Sequence, residues 1–458
     1  MTIYYITFMV IGYTSMICCI IQPDPTLYKE QILEKLKEKP DILDTVTENP
    51  NLEKFLLHIM NETLMTNTRS SIQKLLQKAF RGENIQVVII GESVTVGADL
   101  GVNNTALVHQ HHLVEWWNKT FGQITGSLME VRTVAVGGVS SVYFGRCWKE
   151  YLSLIEPFDF VMWEFNINDS SMKDIDVAIS IERFIRSWFA KYHLMPSLFL
   201  VFYGRHKFNQ TVYGHAENIT SLMAHHHNVS CLSIEPLLVK GHFKEMFTKH
   251  HPSAVAHAQM AIAIIQLFRQ VSLEVITQES LITIQERLPV ILDNPLYVIE
   301  ETDPPVCWNS VYPDFRDPSP IQHLMFSLPF KKTGSVDLIK DGWKDAEETR
   351  YDLTGGYKLN RIGDTISVKF PVISEMNWHQ ERSLSIAWRL DNITSNLTVY
   401  AVIRNGETRI FDNNITIPAT NGLRESLLID QSLKPGECEL ELTLFDKIPF
   451  LLSAIIIF

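Results

Sequence analysis

Short apolar runs that alternate with helix-length segments constrain the fold of this chain most strongly. Segments such as Asp176–Tyr192 and His257–Val271 are long enough for helices. The short apolar runs are Gln86–Ile90, Val131–Val136, Phe158–Phe165, Ser197–Tyr203 and Val229–Ile234, and His257–Val271 follows the last of them. Continuous apolar strands separated by helices predict a parallel sheet that is covered on both faces. Ligands of such sheets lie at the carboxyl ends of the strands, so we expect the functional residues there.

Different patterns flank this region, which we place at residues 85–272. Residues 23–84 carry apolar side chains at three- and four-residue steps and predict a helical N-terminal segment. Residues 273–305 contain several prolines and predict a connector. Residues 306–458 contain short alternating runs between turn residues, which predict a β-sandwich domain. Its apolar tail, Ile448–Phe458, is too short to span a bilayer and is expected to form a buried last strand.

The first 22 residues predict a signal peptide or signal anchor, because no charged side chain occurs from Ile3 to Ile21. Sequons for N-glycosylation, which matter only in a lumenal or extracellular chain, support export. They occur at Asn61, Asn103, Asn118, Asn168, Asn209, Asn218, Asn228, Asn392, Asn396 and Asn414. We therefore expect a glycoprotein that is secreted or resides in the ER or Golgi lumen. It would contact a membrane only if the leader is not cleaved.

Four cysteines follow the leader and permit three pairings. Pairing within each predicted domain gives Cys147–Cys231 and Cys307–Cys438, and this is the arrangement we favour. Four free, buried thiols are the alternative, since a free cysteine behaves as a small hydrophobic residue.

Charge and histidine spacing exclude some partners. The formal net charge of −12 argues against a nucleic-acid surface, which needs clustered Lys and Arg. Two histidine groups could suggest a metal, but adjacent side chains point in different directions and seldom share one ion. These groups are His109, His111 and His112, and His225, His226 and His227. We expect no metal and no cofactor.

A serine follows the first predicted strand. Gly91 permits a sharp turn, which places Ser93 at the start of the next helix with its hydroxyl and its backbone N–H facing the crevice. Serine is also a common helix N-cap, so this residue alone fits either role.

Candidate oxyanion donors follow the next two strands. The backbone N–H of Gly138, in a Gly-Gly pair, and the side-chain amide of Asn168 can both donate to a developing oxyanion. A tight turn is the alternative for the glycines, and an Asx-turn or a glycan acceptor for Asn168.

A candidate general base precedes the last long helix. His251 adjoins Pro252, a residue suited to a first helical turn, and is thereby placed in the loop before the helix. A neutral imidazole there can take the proton of Ser93. His250 is a weaker candidate because it does not adjoin Pro252, and an ordinary histidine at the start of a helix is the alternative.

The order of these blocks resembles that of the SGNH (GDSL-type) hydrolase family over about residues 85–270. Gly91-Glu92-Ser93 stands for Gly-Asp-Ser, and Gly138 for the glycine of the second block. Asn166-Ile167-Asn168-Asp169 stands for Gly-x-Asn-Asp, and His251-Pro252 with His257 for the last block.

The resemblance implies a flavodoxin-like three-layer α/β sandwich with a parallel sheet. The smaller all-β sandwich that follows is similar to the C-terminal extension of some eukaryotic relatives. The resemblance also implies that Ser93 is the nucleophile and His251 the base. The oxyanion hole would consist of the N–H groups of Ser93 and Gly138 and the amide of Asn168.

One element of the family pattern is missing. The acid that orients the histidine usually lies three residues before it, where this chain has Thr248. The orienting group is then a backbone carbonyl or water near Thr248, or Glu245 reaching round, or the site is impaired.

The resemblance predicts a serine ester hydrolase that acts on O-acyl esters, with O-acetyl esters of glycans as the candidate class. An acyltransferase with the same site and a catalytically impaired secreted binding protein are the alternatives. Trp308, Trp343, Trp378 and Trp388 are expected in the β-sandwich core rather than on a sugar-binding platform.

Overall fold

The computed structural model of this chain describes most of both predicted domains. The described residues are 25–38, 66–100, 106–152, 157–170, 172–192, 197–201, 214–233, 246–248, 251–277, 296, 305–309, 311–312, 327–339, 353–354, 356–372, 382–390, 395–418 and 422–458. The predictions for the leader, Glu245, His250, Trp343 and Trp378 lie outside these residues.

A parallel sheet organises the first domain. Its described strands are β1 (Ile85–Gly91), β2 (Met129–Ala135), β3 (Phe160–Glu164), β4 (Leu198–Val201) and β5 (Ser230–Ser233). Their spatial order is β2-β1-β3-β4-β5, and every pairing between them is parallel. This is the flavodoxin-like order, so the predicted α/β class is confirmed. Strand β1 has neighbours on both sides, which buries its carboxyl end in the middle of the sheet edge.

Helices cover both faces of this sheet. Successive residues of β1 point to opposite faces and are apolar on both, so each face needs a covering layer. They are α1 (Pro25–Lys37), α2 (Thr66–Phe80), α3 (Ser93–Val96), α4 (His109–Trp117), α5 (Gln123–Thr125), α6 (Ser141–Leu152), α7 (Asn166–Asp169), α8 (Asp174–Tyr192), α9 (Gly214–His226) and α10 (Ala254–Thr277). A π-helical turn, Asn118–Gly122, joins α4 to α5. Val87 and Ile89 pack with α1, α2, α4 and α10, whereas Val88 and Ile90 pack with α6, α8 and α9.

Helix α10 is the one helix among the described residues that is long and apolar enough to cross a membrane. Most of it is buried in this fold, where it contacts α1, α2 and α4 over the sheet. Its apolar side chains therefore serve the core of the first domain.

Two antiparallel sheets form the second domain. The described strands are β6 (Val306–Asn309), β7 (Val311–Tyr312), β8 (Phe330–Thr333), β9 (Asp337–Ile339), β10 (Leu353–Thr354), β11 (Gly356–Leu359), β12 (Thr365–Val372), β13 (Arg382–Leu390), β14 (Leu397–Asn405), β15 (Thr408–Ile417), β16 (Gly422–Leu433), β17 (Gly436–Leu444) and β18 (Phe450–Ile457). One sheet has the order β16-β13-β18-β11-β9, with β6 also beside β18, and the other the order β15-β14-β17-β12-β8. Strands β7 and β10 pair separately. Apolar residues of both sheets, including the buried Trp388, form the core between them, so the predicted all-β domain is confirmed.

The apolar tail forms the last strand, as expected. Every residue of β18 is buried, and so is every residue of its neighbour β13. Ile455 and Ile457 face the core of the second domain, whereas Ala454 and Ile456 pack against side chains of α6 and α8. Burial on both faces explains why this strand reads as a continuous apolar run.

The predicted disulfides are wrong. The structure pairs Cys147 with Cys307, whose Cα atoms are 5.4 Å apart, and leaves Cys231 and Cys438 as free thiols. Cys147 lies on α6 and Cys307 on β6, and these two elements are in contact. The bond therefore links the two domains, because one face of the sheet that contains β13 and β18 packs directly on the helical layer of the first domain.

Candidate active site

The carboxyl end of β1 turns tightly into α3. A Cβ atom on Gly91 would lie 2.2 Å from Thr95 Oγ1 and 3.1 Å from the backbone oxygen of Glu164, so only glycine lets α3 begin so close to the strand. Glu92 occupies the N-cap position, and Ser93 is the first helical residue. Ser93 therefore does not have the alternative role of helix N-cap. Ser93 is only 9% exposed.

The His251 ring contacts this serine. The distance from His251 Nε2 to Ser93 Oγ is 3.0 Å. A tight turn before α10 fixes the ring: Thr248 donates to the backbone oxygen of His251 from its N–H at 3.0 Å and from its hydroxyl at 3.1 Å. Ser253 N–H also donates to the oxygen of Met246 at 2.9 Å. The structure therefore brings together the predicted nucleophile and base, which are far apart in the sequence.

The carboxylate in contact with the His251 ring is that of Asp99, a residue that sequence reasoning missed. His251 Nδ1 lies 2.9 Å from Asp99 Oδ2, so the carboxylate and the serine bind opposite nitrogens of one ring. Asp99 follows α3 with a φ of 68°, a left-handed conformation that aspartate tolerates better than most residues. A carboxylate shortly after the nucleophile's helix was the available signal, but the family pattern directs attention to the last block.

Thr248 has a different role from the predicted one. Its hydroxyl lies 3.4 Å from Asp99 Oδ2 and 3.1 Å from the backbone oxygen of His251. It therefore contacts the acid and the loop of the base, and the imidazole itself is oriented by Asp99.

The candidate oxyanion donors lie beside the nucleophile turn. The Glu92 carboxylate accepts hydrogen bonds from the N–H groups of Ile167 at 2.8 Å and Asn168 at 3.0 Å. The Asn168 amide donates to the oxygen of Val139 at 3.1 Å, next to Gly138, whose φ is 79°. Glu92 stands where the family has aspartate, and its carboxylate links α7 to the turn that carries Ser93. The Asn168 amide links α7 to the turn that contains Gly138.

A buried carboxyl group lies beneath this turn. Glu164 Oε2 accepts a hydrogen bond from Thr95 Oγ1 at 2.8 Å. Burial raises the pKa of Glu164 to about 7, although the bond from Thr95 lowers it. The group is therefore substantially protonated near neutral pH, and this limits the charge buried under α3.

His257, which the family resemblance includes, is a core residue here. Its Nδ1 lies 3.3 Å from His109 Nδ1, and the two buried rings are stacked with 1° between their planes. Burial lowers the pKa of His257 to about 3 and holds that of His109 well below its usual value. Both rings are therefore neutral, and they connect the start of α4 to the first turn of α10.

Comparison with known proteins supports this interpretation of the fold. No protein-family model matches the chain, and no curated protein matches its sequence. A crystal structure of a two-domain esterase active on acetylated mannans is 19% identical, with a TM-score of 0.57, over 84% of this chain and 94% of that chain. The same kind of esterase crystallised with mannopentaose is 17% identical, with a TM-score of 0.56, over 86% and 96% of the two chains.

A smaller esterase of the SGNH-hydrolase family, AlinE4, also matches. It is 11% identical, covers 33% of this chain and 76% of its own, and has a TM-score of 0.27. The match to the two-domain esterase covers 84% of this chain, more than either domain alone contains. The chain therefore shares the fold of this two-domain esterase, with a parallel α/β sheet in the first domain and antiparallel sheets in the second.

Proposed function

We propose that this chain is a serine carboxylic ester hydrolase of the SGNH type. The observation that carries the proposal is the continuous Ser93–His251–Asp99 contact, with 3.0 Å between Oγ and Nε2 and 2.9 Å between Nδ1 and Oδ2. A nucleophile in contact with a base that is itself oriented by an acid is the arrangement that acyl transfer requires. The presence of Asp99 argues against the impaired binding protein that Thr248 had suggested.

The proposed reaction has two half-reactions. Ser93 Oγ attacks the ester carbonyl carbon while its proton passes to His251 Nε2, and Asp99 stabilises the resulting imidazolium. The oxyanion accepts hydrogen bonds from the N–H groups of Ser93 and Gly138 and from the Asn168 amide. The alcohol leaves with the proton of His251, and the acyl group remains on Ser93. Water, deprotonated by His251, then releases the carboxylic acid.

For the substrate we propose O-acetyl esters of carbohydrates. The two-domain esterase that shares this fold over 94% of its length is active on acetylated mannans. An exported chain would meet such esters on glycans and polysaccharides. The same acyl-enzyme could transfer its acyl group to a sugar hydroxyl, so the assay must include an acceptor.

Labelling with a fluorophosphonate tests the nucleophile directly. We expect the purified full chain to gain the mass of one probe, and the Ser93→Ala variant to gain none. Equal labelling of both proteins, or of neither, contradicts the proposal. Release of acetate from acetylated manno-oligosaccharides tests the substrate separately. If a sugar acceptor captures the acetyl group in place of water, the chain is a transferase.

We also propose that the chain resides in the secretory pathway or outside the cell. The Cys147–Cys307 disulfide supports an oxidising compartment, as do the ten sequons. Expression of the full chain in animal cells, followed by treatment with a glycosidase that removes N-linked glycans, tests this. An unchanged apparent mass after the treatment would contradict it.

A further inference from the structure

A carboxylate and two imidazoles converge away from the catalytic residues. Glu182 lies on α8, His226 is the last residue of α9, and His227 follows directly. One ligand atom from each of the three side chains lies within 4.8 Å of the others. His227 Nε2 is 3.5 Å from Glu182 Oε1. Sequence reasoning had dismissed the histidines because neighbouring residues seldom share an ion, and it had no reason to consider Glu182.

The end of α9 explains how adjacent histidines come together. His227 N–H still donates to the oxygen of Met223 at 3.1 Å, but Asn228 turns away with a φ of 57°. The rings of His226 and His227 have centroids 4.9 Å apart and planes at 86° to each other. The two residues therefore present their rings to one region although they are neighbours in sequence.

The chemistry of the three groups suits a first-row divalent metal, and zinc in particular. Zinc takes imidazole nitrogens and carboxylate oxygens at about 2.0–2.2 Å in tetrahedral geometry, which places neighbouring ligand atoms roughly 3.4 Å apart. The 3.5 Å between His227 and Glu182 is close to that spacing. Calcium and magnesium prefer oxygen ligands, so two imidazoles disfavour them.

Burial and an outer hydrogen bond support the same assignment. The side chains of Glu182 and His227 are both fully buried, and metal ligands in proteins are commonly buried in this way. Glu182 Oε1 also accepts a hydrogen bond from the N–H of Leu296 at 2.8 Å. Such an outer contact orients metal-binding carboxylates in known sites. His226 is only half-buried, so water can reach the cluster from its side.

We propose that Glu182, His226 and His227 bind one zinc ion, with water as the fourth ligand. Helix α9 ends where β5 begins, at the amino-terminal edge of the parallel sheet, whereas Ser93 and His251 lie at the carboxyl edge. The ion therefore has a structural role. It joins α8, α9 and Leu296, which lies in the predicted connector to the second domain.

Zinc binding to the purified full chain tests the proposal. The protein is treated with a chelator, dialysed, and titrated with zinc against a chromophoric competitor. We expect one equivalent of zinc to bind. The midpoint temperature of thermal unfolding should rise with zinc concentration, because a ligand that binds the native state stabilises it. Magnesium and calcium should produce neither effect.

The matched variants are His226→Ala and His225→Ala. Both histidines lie at the end of α9, but His225 is exposed and outside the cluster. His226→Ala and Glu182→Gln should weaken zinc binding by about tenfold or more, and His225→Ala should leave it unchanged. His226 is half-buried, so its variant is expected to fold, which near-ultraviolet circular dichroism verifies.

Two outcomes overturn the proposal. The first is that the unaltered protein binds no zinc at a zinc concentration of about 100 μM, which is far above the dissociation constants of structural zinc sites. The second is zinc binding that survives His226→Ala or that is lost equally in His225→Ala. Ester hydrolysis by the Ser93 site is measured in parallel, and its presence or absence has no bearing on whether zinc binds.

Discussion

Three side chains at the carboxyl edge of the parallel sheet have separate physical tasks. In the proposed reaction Ser93 supplies the oxygen, His251 moves the proton, and Asp99 holds the ring in the tautomer that leaves Nε2 able to accept. Sequence reasoning found the first two because each lies where a strand or helix begins or ends. It missed Asp99 because a single acid in a loop, in a left-handed conformation, follows no periodic pattern.

Replacement of Asp99 by asparagine tests this division of tasks. In serine proteases the equivalent change lowers kcat by about 10⁴, because the amide favours the wrong tautomer. We expect a loss in kcat of about 10³–10⁴ for Asp99→Asn with a small change in KM, measured on 4-nitrophenyl acetate. Thr248→Val serves as the control, since Thr248 contacts the acid but not the reacting atoms. A kcat for Asp99→Asn within a few fold of the original would show that the acid is dispensable.

Glu164 predicts a pH dependence of stability. Its pKa rises from the ordinary 4.5 to about 7 on burial, so between these values the native state binds a proton that the unfolded chain has lost. This contribution is complete below pH 4.5 and disappears as the pH rises through about 7. Each unit of pKa difference corresponds to about 1.4 kcal/mol.

The Glu164→Gln variant removes this titration and keeps an acceptor for Thr95. Urea unfolding at about pH 5 and about pH 8 gives the free energy of unfolding of both proteins on either side of this titration. We expect the original protein to lose more stability than the variant between the two values. Glu150, whose pKa burial also raises to about 7, is present in both proteins and cancels. Parallel pH curves would mean that Glu164 does not titrate in this range.

At the scale of elements, short contacts between strand ends hold the site together. Helix α3 begins directly on β1, α7 is tied to Glu92, and the turn after β2 is tied to Asn168. None of these links is visible in the sequence, which shows only that glycine, serine and asparagine follow consecutive strands. The sheet order places these strands side by side, and the side chains then make the links.

Gly91→Ala tests the closest of these contacts. The added Cβ would lie 2.2 Å from Thr95 Oγ1 and 3.1 Å from the backbone oxygen of Glu164, so α3 must shift. We expect a loss of about 1–3 kcal/mol in the free energy of unfolding and a larger loss of kcat, because Ser93 moves with α3. Gly406→Ala is the control: a Cβ there meets nothing within 4 Å, although its φ of 60° is strained. Full activity of Gly91→Ala would show that the turn relaxes without moving Ser93.

At the scale of the whole molecule, the two domains are joined by packing, charge and a covalent bond. Arg146 on α6 forms an ion pair with Glu425 on β16, and its guanidinium lies 3.5 Å from the centre of the Phe458 ring. The Arg183 guanidinium also lies near this ring, 5.6 Å from its centre. The sequence could not reveal this interface, and the disulfide prediction failed for that reason: it assumed that each domain pairs its own cysteines.

A double-mutant cycle tests the ion pair between Arg146 and Glu425. Their side chains are only 15% and 9% exposed, so removal of Arg146 takes the ion-pair partner away from a nearly buried carboxylate, on which the charge of Arg183 still acts. We expect Arg146→Met to lower the free energy of unfolding by about 3 kcal/mol, and Arg146→Met with Glu425→Leu to recover most of the loss. Urea unfolding of the original protein, of Arg146→Met, of Glu425→Leu and of the double variant measures the coupling between the two side chains. Additive losses in the double variant would show that the pair does not couple the domains.

The position of Asp99 bears on how chains of this kind are recognised. Ser93 and Asp99 lie six residues apart on one short segment, so the proposed nucleophile and acid come from the same piece of chain and only His251 comes from elsewhere. Motif searches that require an acid ahead of the histidine would discard such a chain as inactive. A carboxylate just downstream of the nucleophile's helix is a second place to look before a homologue is classed as a pseudoenzyme.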